Sequence, residues 1–95
     1  MKPAYWIAHV TVSDAARYSG YQSLAPLAFA KFHAKFLARG GLSDCPEGAV
    51  FERHVVIEFS DLATARACYA SPEYAAAKAA RAGAAEVMIT IVEGL

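Results

Sequence analysis

The chain has ninety-five residues, 57% of them hydrophobic, with nine basic and nine acidic side chains and no formal net charge. That describes one domain, 1–95, large enough for its own core without metals or disulfides. It lacks the concentrated positive stripe that a nucleic-acid partner requires. No apolar run approaches the roughly 20 residues that cross a bilayer, and no secretory h-region precedes the first strand pattern. Cys45 and Cys68 are too few for a disulfide framework and read as free thiols. The expected setting is cytoplasmic, with no membrane partner, and the apolar excess tilts toward an oligomer.

The first segment, Tyr5–Val12, alternates. Trp6, Ala8, Val10 and Val12 form a dry face, and Tyr5, Ile7, His9 and Thr11 a mixed one, as strand geometry requires. Asp14 is suited to cap a helix through Arg17, Tyr18, Tyr21 and Leu24. Pro26 should break or kink that helix, or open a second one at its first turn; this second piece would present Leu27, Ala30 and Ala34. Lys35–Ala38 resumes alternation and runs into Arg39-Gly40-Gly41, where adjacent glycines suggest a bulge or a close backbone approach. Residues Asp44 to Gly48 form a turn or loop by composition.

Arg53–Ser60 is a second split strand, with Val55, Ile57 and Phe59 on one side and His54, Val56 and Glu58 on the other. Asp61 caps a helix through Leu62, Ala65 and Tyr69. Ser71-Pro72-Glu73 starts another, with serine as cap, proline in the first turn and glutamate at the positive end of the dipole. Gly83 ends it, and Val87–Val92 closes the chain as a strand. The order strand, helix, strand, strand, helix, strand predicts an α+β, ferredoxin-like βαββαβ sandwich, a four-stranded antiparallel sheet with helices on one face. The first and third strands are expected as parallel central neighbours, with His9 and Glu58 on the same open face. Ile7, Val56, Met88 and Val92 make that face too apolar to stay wet. A second copy covering it would give a homodimer, the dimeric α/β barrel.

Several stretches together resemble the domain of unknown function 1330 family. They are Tyr5-Trp6-Ile7-Ala8-His9-Val10 with Asp14 and Tyr18, Phe36-Leu37-Ala38-Arg39-Gly40-Gly41, Val55-Val56-Ile57-Glu58-Phe59, Ala67 to Tyr74, Arg81, and Ile91-Val92-Glu93-Gly94. The resemblance spans essentially the whole chain and implies a ferredoxin-like fold of the dimeric α/β barrel superfamily, without an assigned activity. Dimeric α/β barrels include cofactor-free monooxygenases and isomerases, so no cofactor is expected. The chain departs from the family at His33-Ala34, where glycines are usual. If that turn needs positive φ, a non-glycine residue costs around 1 kcal/mol there. It departs again at Asp14-Ala15-Ala16, in place of Asp-Pro-Glu, and at Cys68, where relatives often carry tryptophan.

Among candidate site residues, Arg39 can clamp an anion through its planar fork, with Gly40 admitting a ligand to the backbone, or it can form a salt bridge to Glu58. His9 can act as general acid or base, or be a satisfied imidazole. Glu58 can orient His9 or neutralise Arg39. Tyr18 and Tyr69 can line a pocket mouth, although tyrosines at helical spacing usually pack. His33, His54 and His9 show no metal-ligand spacing, and neither cysteine has a basic activator. A serine relay, a phosphate loop and a dinucleotide fingerprint are all absent. Three functions follow. The first is a small-molecule enzyme or binding protein holding a compact, partly apolar anion at the open sheet face of a homodimer, with cofactor-free acid/base chemistry. The second is a carrier or sensor without turnover, and the third a structural dimer with an internal polar network.

Overall fold

A computed structural model describes residues 2–95. Four strands, β1 (Ala4–Val12), β2 (Lys35–Arg39), β3 (Arg53–Phe59) and β4 (Ala85–Glu93), form one sheet in the order β2-β3-β1-β4. Helices α1 (Ala15–Lys31), α2 (Leu62–Tyr69) and α3 (Pro72–Ala80) supply the covering layer. This is the ferredoxin-like α+β architecture, with three helices because Ser71-Pro72 restarts the second helical segment. All three predicted caps form: Asp14 Oδ1 accepts from Arg17 N at 3.1 Å, Asp61 Oδ1 from Thr64 N at 2.7 Å, and Ser71 Oγ from Tyr74 N at 3.1 Å. The bonds from Thr64 also hold the Asp61 carboxyl below its ordinary pKa.

The central pair runs antiparallel, not parallel as the sequence suggested: Tyr5 faces Glu58, Ile7 faces Val56 and His9 faces His54 across β1 and β3. The reason is connectivity. The crossover through α1 brings β2 back parallel to β1 but two places away, and the following hairpin reverses the chain into the gap between them. β2 carries an irregularity between Phe36 and Ala38. The extra residue therefore sits before the glycine pair, and it sends Phe36 and Arg39 to the same face as Ile57 and Val55, their partners in β3.

Helix α1 is continuous through Pro26. Its buried stripe is Tyr18, Ala25, Ala28 and Phe29. Leu27 is 63% exposed and Ala30 is exposed, so these two of the residues assigned to a separate second helix face outward, while Ala34 lies beyond the helix and packs against the core. Proline removes the hydrogen bond to the Gln22 carbonyl, but Gln22 is an exposed residue where solvent can take that bond. Burial of the stripe on either side holds the helix together.

The core centres on Trp6, which is 1% exposed. Its indole N–H donates to the Ala65 carbonyl at 3.0 Å. Around the ring stand Tyr74, Phe29, Phe59 and Tyr69 at centroid distances of 5.0, 5.1, 5.4 and 5.7 Å, mostly edge-on as aromatic quadrupoles prefer. The Cys68 thiol is wholly buried, lies 3.9 Å from the Ala28 carbonyl, and is pushed up to about 12 by burial, which leaves it unreactive. On the outer side, Lys31 bridges to Glu73 at 2.8 Å and ties α1 to α3.

Two stability predictions follow. Trp6→Phe keeps an aromatic ring but removes the indole N–H bond to the Ala65 carbonyl and leaves a gap where the larger ring system sat, at a cost of about 1–3 kcal/mol. In a domain of this size the melting temperature should fall by roughly 5–20 °C in a calorimetric scan. His33 has φ 56°, the left-handed conformation that side chains with a Cβ resist. His33→Gly should therefore raise stability by about 0.5–1 kcal/mol, after glycine's greater unfolded-chain freedom is set against the relieved strain. An unchanged or lower denaturant midpoint would mean that the His33 side chain contributes as much as its backbone costs.

Candidate functional site

Strand alternation gives the sheet two unlike faces, and the cavity lies on the covered one. Between the sheet and α1 is a hollow of about 240 Å³. Its floor is Trp6, Ala8 and Val10 of β1, Val55 and Ile57 of β3, Phe36 of β2, and Val87 and Ile89 of β4. Its roof is the run Tyr18, Tyr21, Gln22, Ala25, Pro26 and Phe29 of α1. Two small lining residues, Ala8 of the sheet and Ala25 of α1, leave room that larger side chains would fill. The expected cleft was at the open sheet face of a homodimer; the hollow within the chain itself lies on the opposite, dry face.

Three guanidiniums border this cavity, those of Arg39, Arg53 and Arg81. Arg39 lies over the Phe36 ring at 4.5 Å, and Arg81 over the Tyr21 ring at 5.3 Å, both within cation–π range. Arg53 is the register residue next to Val55, so it points into the covered face. Gly40, with φ +68°, gives it space, because a Cβ there would collide with the guanidinium, whose Cζ would lie 2.9 Å away. The glycine expected to admit a ligand thus admits an arginine.

Tyr18 and Tyr21 stack at 5.2 Å, and the hydroxyls of Tyr21 and Tyr74 are 2.9 Å apart, one donating to the other. Burial raises both the Tyr18 and Tyr21 phenols above their ordinary range. At Tyr18 the nearby positive charges of Arg53 and Arg81 pull the other way. Tyr69 is outside the cavity. It caps a more open depression of about 330 Å³ with Lys78, Arg81 and Ile91, and its hydroxyl accepts from Lys78 Nζ at 2.9 Å.

The proposed His9–Glu58 arrangement is not what the register produces. Both residues are on the open face, but His9 stands opposite His54 and Glu58 opposite Tyr5. The His9 and His54 Nδ1 atoms are 2.7 Å apart, so one ring donates and the other accepts. Glu58 Oε2 accepts from the half-buried Tyr5 hydroxyl at 3.3 Å, and desolvation, with the neighbouring carboxylate, raises the Tyr5 phenol above its ordinary value. Nor does Glu58 meet Arg39, which the irregularity in β2 turns to the other face. His9 is therefore separated from the cavity by the sheet, whereas Arg39 and Tyr18 line it and Gly40 borders it through Arg53.

Arg53 and Arg81 were not singled out by their chemistry in the sequence. The available signal for Arg53 was its parity with Val55, a charge aligned with a dry face. Arg81 is the C-cap of α3, a position that spacing alone reads as an end signal. Among the described residues, no three histidine, cysteine or acidic side chains converge as metal ligands, and no helix is long and apolar enough to cross a membrane.

With this geometry in hand, solved structures of similar fold can be compared. A protein of unknown function from Rhodopseudomonas palustris is similar at a TM-score of 0.78 and 16% identity, over 99% of this chain and 83% of that one. The cofactor-independent oxygenase SnoaB from Streptomyces nogalater gives a TM-score of 0.67 and 16% identity, over 96% and 91%. A dimeric ferredoxin-like protein of unknown function from Bacteroides fragilis gives 0.64 and 18%, over 96% and 95%. At these identities the likeness speaks for the fold. A search of curated proteins finds no match. The family pattern described as domain of unknown function (DUF1330) matches residues 3–95, nearly the whole chain, and the chain belongs to that family.

Proposed function

We propose that this protein binds a small organic molecule in the cavity between α1 and the sheet, once per subunit of a homodimer. The observation that carries the reading is the cavity itself: apolar walls with a few polar groups at one side are the usual form of a small-molecule site. At about 240 Å³ it is below the roughly 300–1,000 Å³ that drug-sized ligands occupy, so the occupant is compact. Turnover is a second reading, favoured by the likeness to a cofactor-independent oxygenase. Chemistry of that kind asks a protein mainly for a dry chamber and hydrogen-bonding groups that orient the reactant. In this chain Tyr18 and Tyr21 are the hydroxyl groups at hand, and His9 with Glu58 act on the open face as parts of the pairing surface.

Dimerisation is supported by that open face. Met88 is 49% exposed, Val92 41% and Leu37 49%, beside half-buried Ile7 and Val56. A patch of this composition favours association, and the likeness to a dimeric ferredoxin-like protein adds to it. The two unbridged thiols, Cys45 exposed and Cys68 buried, suit a reducing compartment and support a cytoplasmic setting.

Two measurements test this reading. The single tryptophan, Trp6, forms part of the cavity floor, so its fluorescence should change on titration with small aromatic and aliphatic compounds. Ala8→Leu fills the void without adding a polar group. It should abolish that response while moving the melting temperature by only a few degrees, and a response that survives the substitution would place the ligand elsewhere. Light scattering should find a particle of twice the 10.1 kDa chain mass, reduced to one chain by Met88→Glu. A wild-type particle of single-chain mass at micromolar concentration would defeat the dimer.

A further inference from the structure

We infer that the cavity's occupant is a carboxylic acid with a compact apolar body, its carboxylate held at the arginine side by Arg39, Arg53 and Arg81. This rests on the reading of the cavity as a small-molecule site and specifies what that site takes. The first observation is an imbalance of charge. The chain as a whole is neutral, yet the cavity lining includes three arginines and no aspartate or glutamate. Among the described residues the ion pair formed is Lys31–Glu73, on the outer surface, so none of the three guanidiniums is matched within the protein. Unmatched like charges gathered at a partly desolvated site repel one another, and an anion relieves that repulsion.

The second observation is an unmet hydrogen bond. Arg81 Nε is buried and has no partner. Such donors are scarce in folded proteins because leaving one unpaired is costly, and this one belongs to a residue that lines the cavity. The third is that space has been reserved for a cation: Gly40 is held at positive φ where any side chain would overlap the Arg53 guanidinium. Arg53 and Arg81 both line the cavity with Tyr18, and both act electrostatically on its hydroxyl, so the two positive groups lie near the same polar stretch of the lining.

The chemistry of the head group follows from the donors. Guanidinium forks offer parallel N–H pairs that match the two oxygens of a carboxylate. The body follows from the walls, Trp6, Val10, Phe29 and Ile57 among them, and from a volume that excludes nucleotides and other large phosphorylated ligands. Planar aromatic acids and short branched-chain acids have both properties.

The test uses the full chain and three probes: benzoate, its neutral relative benzyl alcohol, and inorganic phosphate. Binding is followed by calorimetric titration, with amide shifts in NMR spectra locating each probe. Benzoate should bind more tightly than either comparator and should perturb the amides of Trp6, Ala8 and Val10. Arg81→Gln and Arg53→Gln should each weaken benzoate at least tenfold, the equivalent of about 1.4 kcal/mol, and leave benzyl alcohol unchanged. Arg39 is exposed, so Arg39→Gln serves as the variant that keeps its fold if the others do not, with the same direction of effect. Equal binding of benzyl alcohol and benzoate, insensitive to all three substitutions, would overturn the acid and leave the small-molecule cavity standing. Phosphate binding more tightly than benzoate would overturn the carboxylate in favour of an inorganic or phosphorylated anion. If none of the probes binds at millimolar concentration, the acid is excluded, and binding of unrelated neutral compounds in the Trp6 titration then decides separately whether the cavity reading survives.

Discussion

The hydrogen bond from the Trp6 indole to the Ala65 carbonyl fixes the distance between the sheet and its helical cover. An indole is both the largest apolar side chain and one that must find a partner when buried. Here the partner is a backbone group of α2, which sets how deeply the ring sits. Phe29 from α1, Phe59 from β3 and Tyr74 from α3 then pack against a ring whose position is already determined. The hydroxyl pair between Tyr21 and Tyr74 continues the same contact outward. Every covering helix is thus referenced to one residue of the central strand, and the void beside that residue has the shape it does because the layers are held apart there.

Much of this arrangement was legible in the residues. Apolar positions two apart in β1 and β3 identified the covered face, and Asp14, Asp61 and Ser71 identified three helix starts, since side-chain caps are local chemistry with few alternatives. The family resemblance pointed to the His33 strain, since relatives usually carry glycine at that turn, and the φ there is positive. What failed were statements that needed a register or a volume. Whether His9 meets Glu58 or His54 depends on which residues align across the strands, and shifting four positions along β3 changes the answer without altering any face. Arg39 changed faces because of a single irregularity in β2, which no composition marks.

The cavity was hidden for a different reason. A packed core and a dry pocket require the same residue types on the same face, and they differ only in whether the backbones approach closely enough to close the gap. Ala8 and Ala25 read equally well as close helix–sheet contact or as the reason for a hollow. Pro26 misled in the opposite direction, since its local preference to break a helix was outweighed by the burial of Ala25, Ala28 and Phe29 around it, an instance of tertiary packing overriding propensity.

The strict alternation of β1 has a consequence for how such a protein can diverge. Even-numbered residues of this strand, Trp6, Ala8 and Val10, face the hollow, and odd-numbered ones, Tyr5, Ile7 and His9, face away from it. A single nucleotide change in this stretch therefore alters one surface and leaves the other intact. Lineages descended from this chain can explore what they hold without disturbing what they lean against. Two traits carried by nine consecutive residues are in this sense genetically separable.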